Sequence, residues 1–214
     1  MMKSLAQWKL IHKKYARAEW IQKPTLFAKF AIRYFPPHGA VLDLGAGQGQ
    51  DSRFFATRGY RVVSTDFSPL AIKISKQKTP APLSRRIAFK RVDLSRPLPF
   101  QSNIFEVVYA HLSLHYFDRA TTFRLFKNIH RILKPGGVLA VLVNSIHDKE
   151  YGGGTRLGQD FYLIDGIAKK YFNPQTIAPF VWAFKTIIRD ERGETYKDRA
   201  KGVHNLIRFI GIKK

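Results

Sequence analysis

One short stretch of the sequence constrains the fold more than any other: Val41-Leu42-Asp43-Leu44-Gly45-Ala46-Gly47-Gln48-Gly49-Gln50-Asp51. A short apolar run followed at once by alternating glycines predicts a buried strand that leaves its sheet through a tight turn into a helix. Glycine reaches backbone angles that are closed to other residues, and it lets a ligand approach the main chain. The helix, expected from about Gln50 to Arg58, points its N-terminal amides at the turn. The stretch therefore predicts a ligand site at the end of the first strand.

The next predicted strand, Arg61–Asp66, ends in an acid 19 residues after Gly47. An α/β nucleotide fold places the carboxylate that binds ribose hydroxyls at this point. The glycine spacing lacks the two-residue gap of the dinucleotide-binding fingerprint. A purely structural turn, with Asp66 capping the segment that begins at Ser68-Pro69, is the alternative interpretation.

These motifs resemble those of a known family. Asp43-x-Gly45-x-Gly47-x-Gly49 resembles the first motif of the class I S-adenosylmethionine-dependent methyltransferases, and Asp66 resembles their ribose-binding acid. Three further segments resemble, in the same order, the family's adenine-flanking segment, fourth-strand motif and turn before the fifth strand: Val92-Asp93-Leu94, Phe105–Tyr116 and Leu133–Gly137.

The resemblance implies a single α/β domain with a Rossmann-like, doubly wound, seven-stranded sheet, mostly parallel with an antiparallel last strand. It implies S-adenosyl-L-methionine as the cofactor and S-adenosyl-L-homocysteine as the product. The residues that it assigns to cofactor binding are Asp43, Gly45, Ala46, Gly47, Gly49, Asp51, Asp66, Phe67, Asp93, Leu94, Ala110 and His111. The expected parts of the domain are N-terminal lid helices (1–36), a cofactor-binding core (40–143), an acceptor-side insertion (145–172) and a segment that completes the sheet (173–214).

Composition sets further limits. At 214 residues the chain is expected to form one domain. The absence of cysteine excludes disulfides, thiolate catalysis and cysteine-ligated zinc. No apolar run is long enough for a membrane span, and Trp8, His12 and Lys13 interrupt the apolar region that a signal peptide requires. We therefore expect a cytoplasmic protein, monomeric or homodimeric, that does not associate with a membrane.

The net charge of +22 is unusual and attracts polyanions such as nucleic acid. The basic residues are spread from Lys3 to Lys214, and no zinc-finger, KH or RNP signature accompanies them. Three functions are therefore considered. A methyltransferase for a small-molecule acceptor is the first, an RNA methyltransferase the second, and a non-catalytic cofactor-binding module the third. Gly-x-Gly-Gln-Gly-x-Asp, followed by Arg-Gly-Tyr-Arg-Val, most resembles tellurite-resistance and thiopurine methyltransferases, which favours the first.

The fourth predicted strand, Ile104–Ala110, delivers polar side chains to the edge of the sheet where ligands bind. Methyl transfer from a sulfonium depends mainly on holding the acceptor in line and excluding water. A base is needed only when the acceptor must lose a proton, and His115 and His111 are the candidates. A packing role for His115 is an equal alternative. Their i, i+4 spacing is also typical of a metal pair, but no acid lies nearby, so no metal is expected.

Two regions of the chain are candidates for the acceptor pocket. Amphipathic helices are expected over residues 4–20 and 25–35, and such helices often cover the cofactor and acceptor in the family that the chain resembles. From these we select Trp8, Tyr15 and Trp20 as pocket wall. From the insertion we select Tyr151 as apolar wall and Arg156 to orient a polar acceptor. The alternative is that these side chains cover a sheet face or lie at the surface.

The remaining elements are read from caps and periodicity. Helices are expected over 68–78 after the N-cap Ser68, over 119–133 after the N-cap Asp118, and from Asn173 to about Phe184. The other expected strands are 87–92, 138–144, 185–190 and 204–212, the last two forming an antiparallel pair whose connection, 191–201, is charged and mobile.

Overall fold

The computed structural model describes residues 7–8, 10, 12–13, 19–195 and 202–214, and for residues 19 and 20 only the backbone. The described residues among 7–13 are helical, and Glu19–Gln22 forms a 3-10 helix. Most of the helix expected over 4–20 lies outside the described residues, as do the candidate Tyr15 and the side chain of Trp20. The expectation that 191–201 is mobile also falls largely on residues outside them.

The described part of the chain contains ten strands and six α-helices. The strands are β1 (Ala40–Leu44), β2 (Arg61–Asp66), β3 (Ile87–Arg91), β4 (Phe105–His111), β5 (Leu133–Val143), β6 (Thr155–Gly158), β7 (Phe161–Ile164), β8 (Ile167–Lys170), β9 (Phe184–Gly193) and β10 (Leu206–Lys213). The helices are α1 (Leu26–Ala31), α2 (Gln50–Thr57), α3 (Pro69–Gln77), α4 (Ala81–Ser84), α5 (Arg119–Ile132) and α6 (Pro174–Ile177).

Seven strands form one sheet in the order β3-β2-β1-β4-β5-β10-β9. The pairs from β3 to β5 are all parallel, whereas β10 is antiparallel to both β5 and β9. The predicted seven-stranded sheet with an antiparallel last strand is therefore confirmed. The central strands β1, β4 and β5 contain near-continuous buried runs because helices cover both faces of the sheet, whereas the edge strand β3 is partly exposed.

The core lies in two layers, one on each face of the sheet. On one face, Phe126 and Ile129 of α5 pack against Leu42 and Val108. On the other face, Phe27 of α1 and Phe55 of α2 join Val41, Val107 and Tyr109. Since successive side chains of a strand point to opposite faces, β1 contributes to both layers. This arrangement is the doubly wound one that the sequence predicted.

The predicted caps explain where two helices begin. The Ser68 side chain accepts the N–H of Ala71, and Pro69 occupies the first helical position of α3. Asp118 caps α5 by accepting the N–H of Thr121 at 2.7 Å. Both caps are confirmed, and the second fixes the loop that joins β4 to α5.

Two regions differ from the sequence predictions. The helix expected from Asn173 to Phe184 was wrong in extent, because α6 spans only four residues and Ala178–Phe180 is a 3-10 helix. Pro179 lacks the N–H that an α-helix needs there, and its ring clashes with the preceding turn. The insertion was not expected to contain strands, yet β6, β7 and β8 form a separate antiparallel sheet.

Candidate functional site

The turn after β1 has the backbone conformation that its glycines predicted. Gly45, Gly47 and Gly49 have φ values of 72°, 56° and 76°, in the left-handed region that favours glycine. At Gly45 a Cβ atom would lie 2.4 Å from Cβ of Ser113, so the turn and the end of β4 are in close contact. At Gly47 a ring atom of His12, at 3.7 Å, is the only atom of the described residues within 4 Å of an added Cβ. The backbone at Gly47 is therefore open toward the residues that stand over the turn.

Asp66, at the end of β2, is fixed in position by backbone donors. Its Oδ2 accepts the N–H of Gly47 at 2.9 Å, and its Oδ1 accepts the N–H of Ser68 at 2.8 Å. Burial raises the pKa of the carboxyl group, whereas these hydrogen bonds and the nearby His12 act in the opposite direction. The Nε2 atom of His12 lies 3.9 Å from Oδ1. The carboxylate is thus held beside the glycine turn, with lone pairs still available to a hydroxyl donor.

A cavity opens at the carboxyl end of the sheet, above the turn. One side consists of Gly45, Gly47, Asp66 and Phe67, with Val92, Asp93 and Leu94 following β3. The other side consists of Leu112, Ser113, Tyr116 and Phe117 following β4, with Trp8, His12, Ile167 and Ala168 as the cover. The carboxyl ends of neighbouring parallel strands meet here, as in other open α/β sheets. We refer to this space as the cofactor cavity.

Half of the residues that the resemblance assigned to cofactor binding line this cavity, namely Gly45, Gly47, Asp66, Phe67, Asp93 and Leu94. Asp43, Ala46, Gly49, Asp51, Ala110 and His111 do not line it. Ala46 donates its N–H to the carbonyl of Thr65, which ties the turn to β2. Gly49 is the N-cap of α2. These two positions shape the turn rather than the cavity wall.

Asp43 lies beneath the turn and is buried. Its carboxylate accepts the hydroxyl of Ser52 at 2.6 Å, which joins β1 to α2. Burial and the nearby Asp51 and Asp66 raise its pKa to about 8, against the effect of the Ser52 hydrogen bond. The carboxyl group is therefore largely protonated at neutral pH, and it serves the packing of the turn.

Asp51 occupies a different place from the one that the resemblance implied. Its oxygens accept the N–H of Thr25 at 2.8 Å, the hydroxyl of Thr25 at 2.8 Å and the hydroxyl of Tyr109 at 2.7 Å. Thr25 is also the N-cap of α1, since its hydroxyl accepts the N–H of Ala28. Because the whole carboxylate is engaged by these donors, Asp51 holds α1 to β4 rather than facing the cavity.

The two candidate bases lie next to the cavity but do not line it. His115 is 2% exposed, and its Nδ1 has no hydrogen-bond partner among the described residues. Burial, followed by the charges of Lys169 and His111, lowers its pKa to about 3. Burial also lowers the pKa of His111, although Asp51 opposes the shift. Both rings are therefore neutral near pH 7, and His115 is a very weak base.

The candidate acceptor residues are separated by the fold. Trp8 lines the cavity and lies edge-on to the ring of Tyr116, with 5.3 Å between centroids. Tyr151 donates to Asp160 at 2.8 Å on the outer side of the insertion, and Arg156 is exposed on β6. Neither lines the cofactor cavity. Of the candidates whose side chains the structure describes, Trp8 alone is therefore placed at the cavity.

Several lining residues were not selected from the sequence, namely His12, Val92, Leu112, Ser113, Tyr116, Phe117, Ile167 and Ala168. Those after β4 carried a signal, since they follow a strand that ends at the ligand edge. Ile167 and Ala168 carried none, because the insertion was not recognised as a sheet.

Known proteins share this arrangement. A methyltransferase domain family model matches residues 42–141. The chain is 33% identical to 2-methyl-6-phytyl-1,4-hydroquinone methyltransferase of Synechocystis sp., over 59% of this chain and 36% of that protein. It is 35% identical to erythromycin 3''-O-methyltransferase of Saccharopolyspora erythraea, over 47% of this chain and 33% of that protein. The chain thus spans less than half of the length of these curated relatives.

Among solved structures, the fold matches an S-adenosylmethionine-dependent methyltransferase of Methanosarcina mazei with a TM-score of 0.72 and 20% identity. The match covers 86% of this chain and 96% of that one. Residues 42–141 thus match a methyltransferase domain family, and the sheet order and overall fold are those of known S-adenosylmethionine-dependent methyltransferases. S-adenosylmethionine is the cofactor that the resemblance to this family implies for the cavity. The narrower resemblance to tellurite-resistance and thiopurine methyltransferases stays a prediction.

The residues around the cavity fit this cofactor. The carboxylate of Asp66 stands beside an open glycine backbone, and Val92 and Leu94 offer apolar surface to a base. Ser95 donates both its N–H and its hydroxyl to Oδ1 of Asp93, which leaves Oδ2 to accept an amino group.

Within the part of the chain that the structure describes, no helix is long and apolar enough to cross a bilayer.

Proposed function

We propose that the protein transfers the methyl group of S-adenosylmethionine to a small-molecule acceptor. The observation that carries this proposal is the charge of the cofactor cavity. Although the chain has 37 lysines and arginines, none of those that the structure describes lines the cavity. Its acidic lining residues are Asp66 and Asp93, and the ring of His12, which also lines the cavity, lies 3.9 Å from Asp66. Such a wall repels a phosphate backbone and suits an uncharged acceptor.

The cover of the cavity supports the same proposal. Trp8 and Tyr116 form one part of the cover, and Ile167 and Ala168 of β8 form another. An apolar enclosure with a few polar groups is typical of small-molecule sites. Two relatives are also named for small molecules, a phytylated hydroquinone and erythromycin.

The bound cofactor supplies a methyl group on a positively charged sulfur, which is a good leaving group. We assign Asp66 to the ribose hydroxyls, because its carboxylate is already oriented by Gly47 and Ser68. Leu94 and Val92 flank the adenine, and Asp93 accepts its amino group. Gly47 leaves the backbone accessible to the rest of the cofactor.

Positioning and water exclusion carry the catalytic work in this proposal. Trp8 and Tyr116 hold the acceptor, and the residues of β8 close the cavity against water. Burial raises the pKa of Tyr116, so its phenol stays protonated and donates a hydrogen bond to the acceptor. Because the pKa of His115 is about 3, we do not assign proton abstraction to this residue.

The test combines purified protein with S-adenosylmethionine that carries a labelled methyl group and a cell extract. After reaction, the extract is separated into RNA, protein and small-molecule fractions. Label should enter the small-molecule fraction, and both added S-adenosylhomocysteine and the Asp66→Ala substitution should reduce it. Label in the RNA fraction would support the RNA methyltransferase instead. Cofactor binding without transfer to any fraction would support the non-catalytic module.

A further inference from the structure

A second cavity of about 470 Å³ lies between the insertion and the N-terminal end of α5. Its wall includes Leu157 to Phe161 and Lys170 of the insertion, Asp118 and Arg119, and parts of the segment 175–180. None of its lining residues lines the cofactor cavity. Its volume is in the range of small-molecule sites.

Lys170 is the unusual residue of this second cavity. The residue is 6% exposed in the wall of the cavity, and its Nζ lies 5.7 Å from the centroid of the Phe172 ring. A buried ammonium without an ion pair is costly. Nζ donates to the carbonyl oxygen of Gln159 at 3.1 Å, and it forms no ion pair with any described residue. An ammonium has three donors, so two remain for a ligand.

The other charged groups of the second cavity differ in how they are engaged. Both acids have partners, since Asp118 caps α5 through the N–H of Thr121 and Asp160 accepts the hydroxyl of Tyr151. Arg119 instead lies over the ring of Phe123, 4.9 Å from its centroid, and has no hydrogen bond to a described residue. The donors of both cations are therefore available to a ligand, whereas the acids are partly satisfied.

The electrostatics agree with this geometry. The pKa of Lys170 is lowered, chiefly by burial, and the positive charge of Arg119 lowers it further. Asp160 and Asp118 oppose the shift without removing it. An anion bound between the two cations would offset both the desolvation and their mutual repulsion.

We propose that the second cavity is a binding site for a small organic anion that is neither the cofactor nor the methyl acceptor. A carboxylate or phosphate group of the ligand accepts hydrogen bonds from Lys170 and Arg119. Leu157, Phe161 and Phe180 form an apolar wall for the body of the molecule. Charge-assisted hydrogen bonds from the buried Lys170 and from Arg119 at the mouth give the site its selectivity for an anion.

The test is a calorimetric titration of protein saturated with S-adenosylhomocysteine, so that the cofactor cavity is filled. The probes are phenyl phosphate, 3-phenylpropionate and the neutral 3-phenylpropanol. We expect one equivalent of at least one of the two anions to bind, and the neutral alcohol not to bind. Tighter binding of phenyl phosphate indicates a phosphate ligand, and tighter binding of 3-phenylpropionate indicates a carboxylate. The same titration without S-adenosylhomocysteine gives the same result, so the test does not depend on methyl transfer.

Lys170→Met removes the ammonium but keeps an unbranched apolar side chain. It should weaken binding at least about tenfold, which corresponds to about 1.4 kcal/mol. The exposed Lys185, which lines neither cavity, provides the control Lys185→Met, which should bind as the wild type does. If Lys170→Met does not fold in a thermal scan, Arg119→Gln at the mouth of the cavity replaces it and should also weaken binding.

Three results would overturn the proposal. The first is the absence of saturable binding of both anions. The second is equal affinity of the wild type and the folded Lys170 or Arg119 variant. The third is binding at another place. Competition between the anion and S-adenosylhomocysteine would indicate the cofactor cavity, and binding of many equivalents that Lys185→Met also reduces would indicate general attraction to a basic protein.

Discussion

The carboxylate of Asp66, at the end of β2, accepts the backbone N–H of Gly47, in the turn after β1, at 2.9 Å. The acid and the glycine turn are therefore one unit that joins two neighbouring strand ends. Since Gly47 and Asp66 both line the cofactor cavity, a change in one alters the position of the other.

Asp66→Ala should weaken the binding of S-adenosylmethionine by about 1–3 kcal/mol, because it removes an acceptor for the ribose and releases the Gly47 N–H. Isothermal titration calorimetry measures the effect. Asp148→Ala is the matched control, since Asp148 accepts the N–H of Glu150 and lines neither cavity. Equal affinity of both variants and the wild type would remove Asp66 from the cofactor site.

Asp51→Asn should destabilise the fold by about 3 kcal/mol, because an amide nitrogen then faces donors from Thr25 or Tyr109. Tyr109→Phe removes one of these donors and should cost about 1 kcal/mol. Urea unfolding measures both. Cofactor affinity should change less in Asp51→Asn than in Asp66→Ala. A large loss of affinity with unchanged stability would restore the cofactor role that the family resemblance implied for Asp51.

The sequence predicts the central sheet because its signals are local. An apolar run with glycines at its end can only be accommodated as a strand and a turn, and Ser68 and Asp118 mark helix starts through their own neighbours. The last two strands were also predicted from the sequence, as an antiparallel pair that closes the sheet. Positions such as Gly45, Gly47 and Asp66 meet at one edge as a consequence of parallel pairing.

The cover of the cavity could not be predicted in the same way. Ile167 and Ala168 reach the cavity only because β8 joins a small separate sheet, and no periodic pattern in the insertion indicated it. Leu112 adopts a φ of 53°, which is rare for leucine and which directs the chain so that Ser113 donates to the carbonyl of Leu44. Such a conformation is imposed by tertiary contacts, so sequence alone does not show it.

Asp43 should make the stability of the protein depend on pH. Its pKa is raised to about 8 in the folded state, whereas an unfolded Asp has a pKa of about 3.9. Between these values the folded state binds more protons than the unfolded state, so the contribution of Asp43 to stability falls as pH rises from about 4 to 8. Asp43→Asn, which has no titrating proton, should lose less stability than the wild type over this interval.

Urea unfolding of both proteins at pH 5, 6, 7 and 8 provides the measurement for Asp43. As pH rises, the unfolding free energy of the wild type should fall relative to that of Asp43→Asn. A difference that is constant across the series would show that Asp43 ionises in the fold as it does in the unfolded chain.

Gly45→Ala separates backbone strain from steric contact in the turn. Gly45 has a φ of 72°, and an added Cβ would lie 2.4 Å from Cβ of Ser113, whose hydroxyl donates to Leu44. Gly136 has nearly the same φ, 74°, but no atom of the described residues lies within 4 Å of an added Cβ. Gly136→Ala should therefore cost only the left-handed strain, about 1–2 kcal/mol. Gly45→Ala should cost about 1–3 kcal/mol more, since Ser113 must move.

Urea unfolding of the Gly45→Ala and Gly136→Ala variants gives the contact energy as the difference between their losses of stability. Cofactor affinity should fall in Gly45→Ala only, because Gly45 and Ser113 both line the cofactor cavity and Gly136 does not. Equal losses of stability would mean that the end of β4 yields to the added methyl group without cost. In Gly45→Ala the displaced Ser113 also moves the wall of the cofactor cavity. Equal losses of stability together with a lower cofactor affinity in Gly45→Ala would therefore mean that the close approach of Gly45 and Ser113 serves cofactor binding rather than folding.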